Sequence, residues 1–115
     1  MADRPKKIVA KFFATATGRR PVREWLLSLS RDDRRTIGTD VQRVEFGWPM
    51  GMPYCRSLVD GMWEVRSNLE GGRTARVIFA IVKGEMVLLH GFMKKSQKTP
   101  ASDIDLARKR MKELE

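Results

Sequence analysis

Apolar positions along this chain change their period once, and the change separates a helical stretch from an extended one. Between residues 21 and 47 they recur at helical spacing. Val22, Trp25, Leu26 and Leu29 fall at i, i+3, i+4 and i+7, and Ile37, Val41 and Val44 continue a second stripe toward Gly47. Pro21 suits the first turn of one helix, Ser30 with Asp33 three residues on starts the next, and Trp48-Pro49 ends it. From Met62 the period falls to two. Trp63, Val65 and Ser67 alternate with Glu64, Arg66 and Asn68, a more apolar strand follows over 73–82, and another over 85–93. Glu70-Gly71-Gly72 and Lys83-Gly84 read as the turns between them, so three strands form an antiparallel meander. Residues 7–13, rich in β-branched and aromatic side chains, predict a first strand, and Gly51 to Pro53 a turn-rich connection. Thr99-Pro100 caps a last helix whose stripe is Ile104, Ala107, Met111 and Leu114.

Strand, helix, helix, three strands and helix make an α+β domain, with the helices expected on one face of the sheet and the other face open. Alternation then assigns side chains to faces. With Trp63, Val65, Ala75, Val77, Phe79, Ile81, Val87 and Leu89 in the core, Glu64, Arg66, Arg76, Leu88, His90, Phe92 and Lys94 point away, and no strand needs a bulge. The expected patch is Arg66, Arg76, His90 and Lys94, with Phe92 inside it and Glu64 at its edge.

Composition limits what such a patch serves. At 115 residues the chain fits one domain over 1–115, large enough to bury a core unaided. Lys and Arg total 23 against 14 Asp and Glu, a net charge of +9 that favours polyanions, nucleic acid first. No apolar run approaches a membrane span, so no membrane partner is expected. Arg4, Lys6 and Lys7 precede an apolar patch, and Ala14-Thr15-Ala16 resembles a signal-peptidase site. That patch, over 8–13, is too short and is interrupted by Lys11, so no secretory signal is expected. Cys55 is alone, hence without an internal disulfide, and no His/Cys cluster has zinc spacing. Cys55 reads as a small buried residue, and a cytoplasmic protein without metal or cofactor is expected.

Each patch residue has a plainer reading beside a chemical one. Glu64 and Arg66 suit cross-strand ion pairing on a wet sheet. His90, the single histidine, suits a hydrogen-bonded structural role as well as proton transfer, and Phe92 suits packing as well as base stacking. Arg76 in an otherwise apolar strand needs a partner or a task, because an arginine is costly to desolvate. Lys94, Lys95 and Lys98, crowded at the strand exit, suit phosphate contacts. Such a patch can hold a phosphate and stabilise the charge that develops as a ribose 2′-hydroxyl attacks in line, which points to RNA.

The order of elements, MWEVRSN at 62–68, ARVIF at 75–79 and above all LLHGFMKKSQKTP at 88–100 resemble the RelE/ParE toxin superfamily, specifically its HigB-like, phage-associated branch. The resemblance runs from KFFATATGRRPV at 11–22 through the last helix. It implies a RelE-like fold and a toxin of a type II toxin–antitoxin pair. Such a toxin is a metal-independent endoribonuclease that cuts mRNA in the ribosomal A site and is neutralised by a small helix-turn-helix, HigA-like antitoxin. By the same resemblance Arg76 and Arg66 match strand arginines that stabilise the phosphate charge, and Lys94 and Lys95 match a basic pair that orients phosphate or ribosomal RNA. Lys98 and Phe92 join that RNA-contacting group. Residues 101–115 lack the aromatic or histidine that many relatives use for base stacking, which leaves His90 and Glu64 as candidate general bases. ParE-like relatives act on DNA gyrase without cleaving RNA, and a plain nucleic-acid-binding module is the other alternative.

Overall fold

A computed structural model describes residues 5–95 and 98–114. The meander is present: β3 (Met62–Asn68), β4 (Thr74–Val82) and β5 (Glu85–Lys94) are successive antiparallel neighbours. Lys83 and Gly84 both take positive φ, 52° and 79°, which suits a two-residue hairpin turn to the twist of the strands it joins. Two further strands widen the sheet. β1 (Val9–Phe12) lies parallel to β5 on its outer edge, and β2 (Cys55–Ser57) pairs antiparallel with β3, giving the order β1-β5-β4-β3-β2. Three residues are too few to show an alternation, which is why β2 is invisible to the sequence pattern.

The helices are α1 (Pro21–Leu27), α2 (Arg31–Gly47) and α3 (Ala101–Lys112). Ser30 caps α2 as expected, its hydroxyl accepting from the Asp33 N–H at 3.2 Å. α1 and α2 bury Val22, Ile37, Val41 and Val44 against Val65, Ala75, Val77, Phe79 and Leu88. α3 packs on the opposite face, where Ile104, Ala107, Met111 and Leu114 meet Met62, Ile78, Ala80, Val87 and Leu89. Helices therefore cover both faces, whereas their grouping in the sequence suggests one. The reason lies in β4, where every residue from Ala75 to Ala80 is buried, so both of its faces need cover. The α3 face is closed only in part.

A one-residue irregularity in β5 corrects the alternation. The partners shift between Ile78, opposite His90, and Phe79, opposite Leu88, so Leu89 is the extra residue of a bulge. Leu88 thus turns inward beneath α1 and α2, with 4% of its surface exposed, instead of pointing away. Leu89 and His90, though consecutive, share the α3 face. The bulge residue also supplies a contact to α3, its carbonyl accepting from Arg110 Nη1 at 2.8 Å.

Two contacts fix the α1/α2 face. Gly91 faces Trp25 so closely that an added Cβ would stand 2.3 Å from the indole ring, so the Gly in the His-Gly-Phe stretch is there for helix approach. At the rim, Arg73 Nη1 and Nη2 donate to the two carboxylate oxygens of Asp33 at 2.7 and 2.9 Å. This fork lowers the Asp33 pKa, the hydrogen bonds from Arg73 being the largest cause.

Candidate functional site

Past the end of the apolar cluster under α3, the sheet face carries two cross-strand rows. One row is Arg66, Arg76 and Phe92; the other is Arg56, Glu64, Ile78 and His90. Lys94, opposite Thr74, extends the face beyond the first row. Five of the expected residues, Arg66, Arg76, His90, Phe92 and Lys94, accordingly fall on one surface, and Glu64 lies at its centre rather than its edge.

Glu64 and Arg76 are the buried heart of this surface. The Glu64 side chain is fully buried and that of Arg76 is 5% exposed, with Glu64 Oε1 3.7 Å from Arg76 Nε. That separation is an ion pair and not a hydrogen bond. Neither Glu64 Oε1 nor Arg76 Nε has a hydrogen-bond partner among the described residues. Arg76 Nη1 donates to the Ala75 carbonyl at 2.8 Å, and Glu64 Oε2 accepts from the Thr99 hydroxyl at 2.7 Å. An unsatisfied buried donor or acceptor costs about 1–3 kcal/mol. The pair is consequently held in an arrangement that structure alone does not favour.

Thr99 corrects a second expectation. The residue at the start of α3 is Pro100, without a side-chain cap, and the Thr99 hydroxyl is committed to Glu64 instead. Glu64 is buried, and its ion pair is with Arg76 and not, as on a wet sheet, with Arg66.

Four cations surround the one carboxylate, and they repel one another. Burial lowers the Arg76 pKa, and the charges of Arg66 and Arg56 lower it further against the opposing pull of Glu64. Lys94 is lowered for the same reasons: burial first, then Arg76, with Arg66 and Arg56 adding and Glu64 opposing. Arg56 went unnoticed in the sequence because β2 did; once a strand is drawn there, its place opposite Glu64 is plain. Arg66 is half-buried, with Nη1 3.0 Å from the Met52 sulfur.

At the α3 edge, His90 Nε2 lies 2.7 Å from Asp103 Oδ1, in the first turn of the helix. Phe92 stacks on the imidazole with ring centroids 5.4 Å apart and planes inclined by 18°. Asp103 is a second residue that sequence reasoning missed, and nothing in the alternation signals it. Lys95 is exposed just beyond β5, and Lys98 is exposed beside Thr99. Ser96 and Gln97, within the LLHGFMKKSQKTP stretch, lie outside the described residues.

The other chemistry-bearing groups are quiet. Cys55 is fully buried, and its thiol is pushed up to about 12 by burial and by the charge of Glu64, so it is held protonated, as a small core residue. Among the described residues no group of three or more His, Cys, Asp or Glu side chains is placed to hold a metal ion, and no helix is long and apolar enough to cross a membrane. What the surface can do is bind an oxyanion. Guanidinium donors set in a water-poor site stabilise added negative charge more strongly than they would in water.

Residues 24–112 match the family described as Phage derived protein Gp49-like (DUF891), a span that contains every residue of this surface. No curated protein matches the chain.

Proposed function

The chain belongs to the phage-derived Gp49-like family, and on that premise we propose that it is the toxin of a type II toxin–antitoxin pair, a HigB-like, ribosome-dependent mRNA endonuclease. The observation that carries the reading is Arg76, buried, with a spare Nε donor, among three further cations and one incompletely satisfied carboxylate. A scissile phosphate placed against Arg76 and Arg66 would meet donors aligned before the reaction begins. The ribose 2′-oxygen attacks phosphorus in line, the new P–O2′ bond forms, and the bond to the 5′-oxygen of the next nucleotide breaks. The two guanidinium groups and Lys94 stabilise the extra negative charge on the phosphoryl oxygens. The 2′-hydroxyl proton must leave and the departing oxygen must gain one. His90, oriented by Asp103, is the group we assign to proton transfer, and Glu64 serves as the buried counter-ion of Arg76.

The net charge of +9 and the exposed Lys95 and Lys98 support docking on ribosomal RNA, and a ribosomal target implies a cytoplasmic protein. The partner that silences it is, on this reading, a helix-turn-helix, HigA-like antitoxin. The test is cleavage of mRNA on a programmed ribosome by the wild-type protein beside Arg76→Ala and His90→Ala. Cut transcripts with wild type, and few or none with either variant, support the proposal. Growth arrest with intact transcripts sinks it, and a change in DNA supercoiling under those conditions would point to gyrase.

A further inference from the structure

Between β2 and the start of α3 lies an open cleft of about 410 Å³, lined by Arg56, Leu58, Val59, Lys98, Thr99 and Ile104. It is within the size range of small-molecule sites, and its lining combines two cationic side chains with three aliphatic ones. We infer that this cleft is a second nucleotide subsite, in which Arg56 and Lys98 hold the phosphate of a nucleotide adjacent to the scissile one while Leu58, Val59 and Ile104 pack against its base or sugar. The inference rests on the endonuclease reading and names a part of the substrate that this reading leaves unassigned.

Three observations lead to it. The cleft adjoins the cationic surface, because Thr99, which lines it, donates to Glu64, and Arg56, which lines it, stands directly across the strand pair from Glu64. Arg56 acts electrostatically on the phosphate-binding groups: its charge is among the causes that lower both Arg76 and Lys94. β2 and β4 are two strand spacings apart, roughly 10 Å, so a chain with one phosphate at Arg76 reaches the cleft with a neighbouring nucleotide.

The second observation is chemical. Arg56 is exposed and makes no ion pair among the described residues, unlike Arg19, Arg43, Arg73 and Arg108, each of which has a carboxylate within 2.7 Å. Beside it Val59 leaves 49% of an aliphatic surface exposed. A guanidinium without an ion pair among the described residues, next to exposed apolar surface, is the composition that single-stranded nucleic acid uses, with the charge taking a phosphate and the apolar surface taking a base.

The third concerns what else would fit. An acidic peptide segment would also suit Arg56, but the proposed reaction already requires the RNA backbone at Arg76, two strand spacings from the strand that carries Arg56.

The probe is a fluorescent RNA pentanucleotide with 2′-deoxyribose at its central residue, measured by anisotropy at low salt against the full-length protein. Two trinucleotides, each lacking the outer nucleotides on one side, complete the set. The variants are Arg56→Gln and Val59→Asp, both at exposed positions. Arg35→Gln, on the exposed side of α2, controls for the loss of one charge. The subsite predicts that Arg56→Gln and Val59→Asp weaken pentanucleotide binding at least tenfold, whereas Arg35→Gln weakens it less than twofold. It also predicts that one of the two truncations weakens binding to wild type by a similar factor and leaves Arg56→Gln almost unaffected. Equal losses for Arg56→Gln and Arg35→Gln overturn the subsite, as does a truncation penalty that Arg56→Gln does not remove. Binding of an acidic peptide at the cleft with no RNA binding overturns it as well. If the probe binds as predicted while mRNA on the ribosome remains uncut, the subsite stands and the endonuclease reading fails.

Discussion

Arg73 lays two nitrogens on the two oxygens of Asp33 at 2.7 and 2.9 Å, at the rim of the α1/α2 face. On the other face Arg76 stands 3.7 Å from Glu64, its Nε and the facing oxygen both without hydrogen bonds among the described residues. The same two chemical groups are used, yet the half-exposed pair at the rim is geometrically complete and the fully buried pair is not. Burial should reverse that order, since it is the buried pair that loses most by poor geometry. Optimising the Arg76 pair for stability would have meant closing a fork like that of Arg73. On the proposed reading, leaving it open keeps a donor uncommitted for the phosphate. The first pair is complete as structure, and the second leaves two buried polar atoms without hydrogen bonds among the described residues, which the proposed activity would put to use.

This contrast can be attacked from both sides. Arg76→Ala should have the largest effect, lowering single-turnover mRNA cleavage on the ribosome by about 10²–10³-fold, the range seen when one preorganised donor to a developing oxyanion is removed. A loss below tenfold would remove the distinction between the two pairs. Glu64→Gln should cost about 3 kcal/mol in urea denaturation, because it strands a buried guanidinium, and should at the same time tighten binding of inorganic phosphate. A destabilised variant with unchanged phosphate affinity would mean that Glu64 does not hold Arg76 back.

Gly91→Ala probes the α1/α2 face. Its methyl would collide with the Trp25 ring, so we expect a loss of about 1–3 kcal/mol by overpacking, with activity per folded molecule preserved. The Lys94→Arg substitution acts on pH dependence. Lys94 sheds its proton more readily than a free lysine, through burial and the nearby arginines, so phosphate affinity should begin to fall at a lower pH than an ordinary lysine would produce. The arginine variant stays charged and should lose that alkaline decline. The smallest effect belongs to Asp33→Asn. The Asp33 pKa is depressed in the folded state, so its contribution to stability is present above the unfolded value near 3.8 and is lost as pH falls through the lower folded value. The wild-type protein should accordingly show an acid-dependent loss of stability below pH 3.8 that is weaker in the asparagine variant, as followed by urea titration at several pH values.

Much of this layout was legible before any coordinates. The i, i+3, i+4 stripes located α1 and α2, the alternation located the meander, and a lone arginine among apolar residues drew attention to position 76. What escaped notice has physical causes. β2 is shorter than the period needed to recognise it, and with it went Arg56. The partner of Thr99 is Glu64, 35 residues away, and a hydroxyl beside a proline suggests a local cap before a distant carboxylate. Asp103 meets His90 only because α3 folds back over the sheet, which alternation within a strand cannot report. The bulge was hidden by its surroundings: in Met86-Val87-Leu88-Leu89 every residue is apolar, so an extra one breaks no visible pattern.

That extra residue resolves a conflict of phase. A strictly alternating strand that offers Val87 to α3 would show the same helix residues 89, 91 and 93, and would send His90, Phe92 and Lys94 to the other side. By slipping one position at Leu89, β5 shows α3 an apolar odd-numbered half and then an even-numbered half of His90, Phe92 and Lys94, on one continuous face. The carbonyl displaced by the slip is the one that receives Arg110, so the place where the strand changes phase is also where the helix is tied down. Leu89 thus works as a splice between two reading frames of side chains, an apolar one packed beneath α3 and another that carries His90 and Lys94.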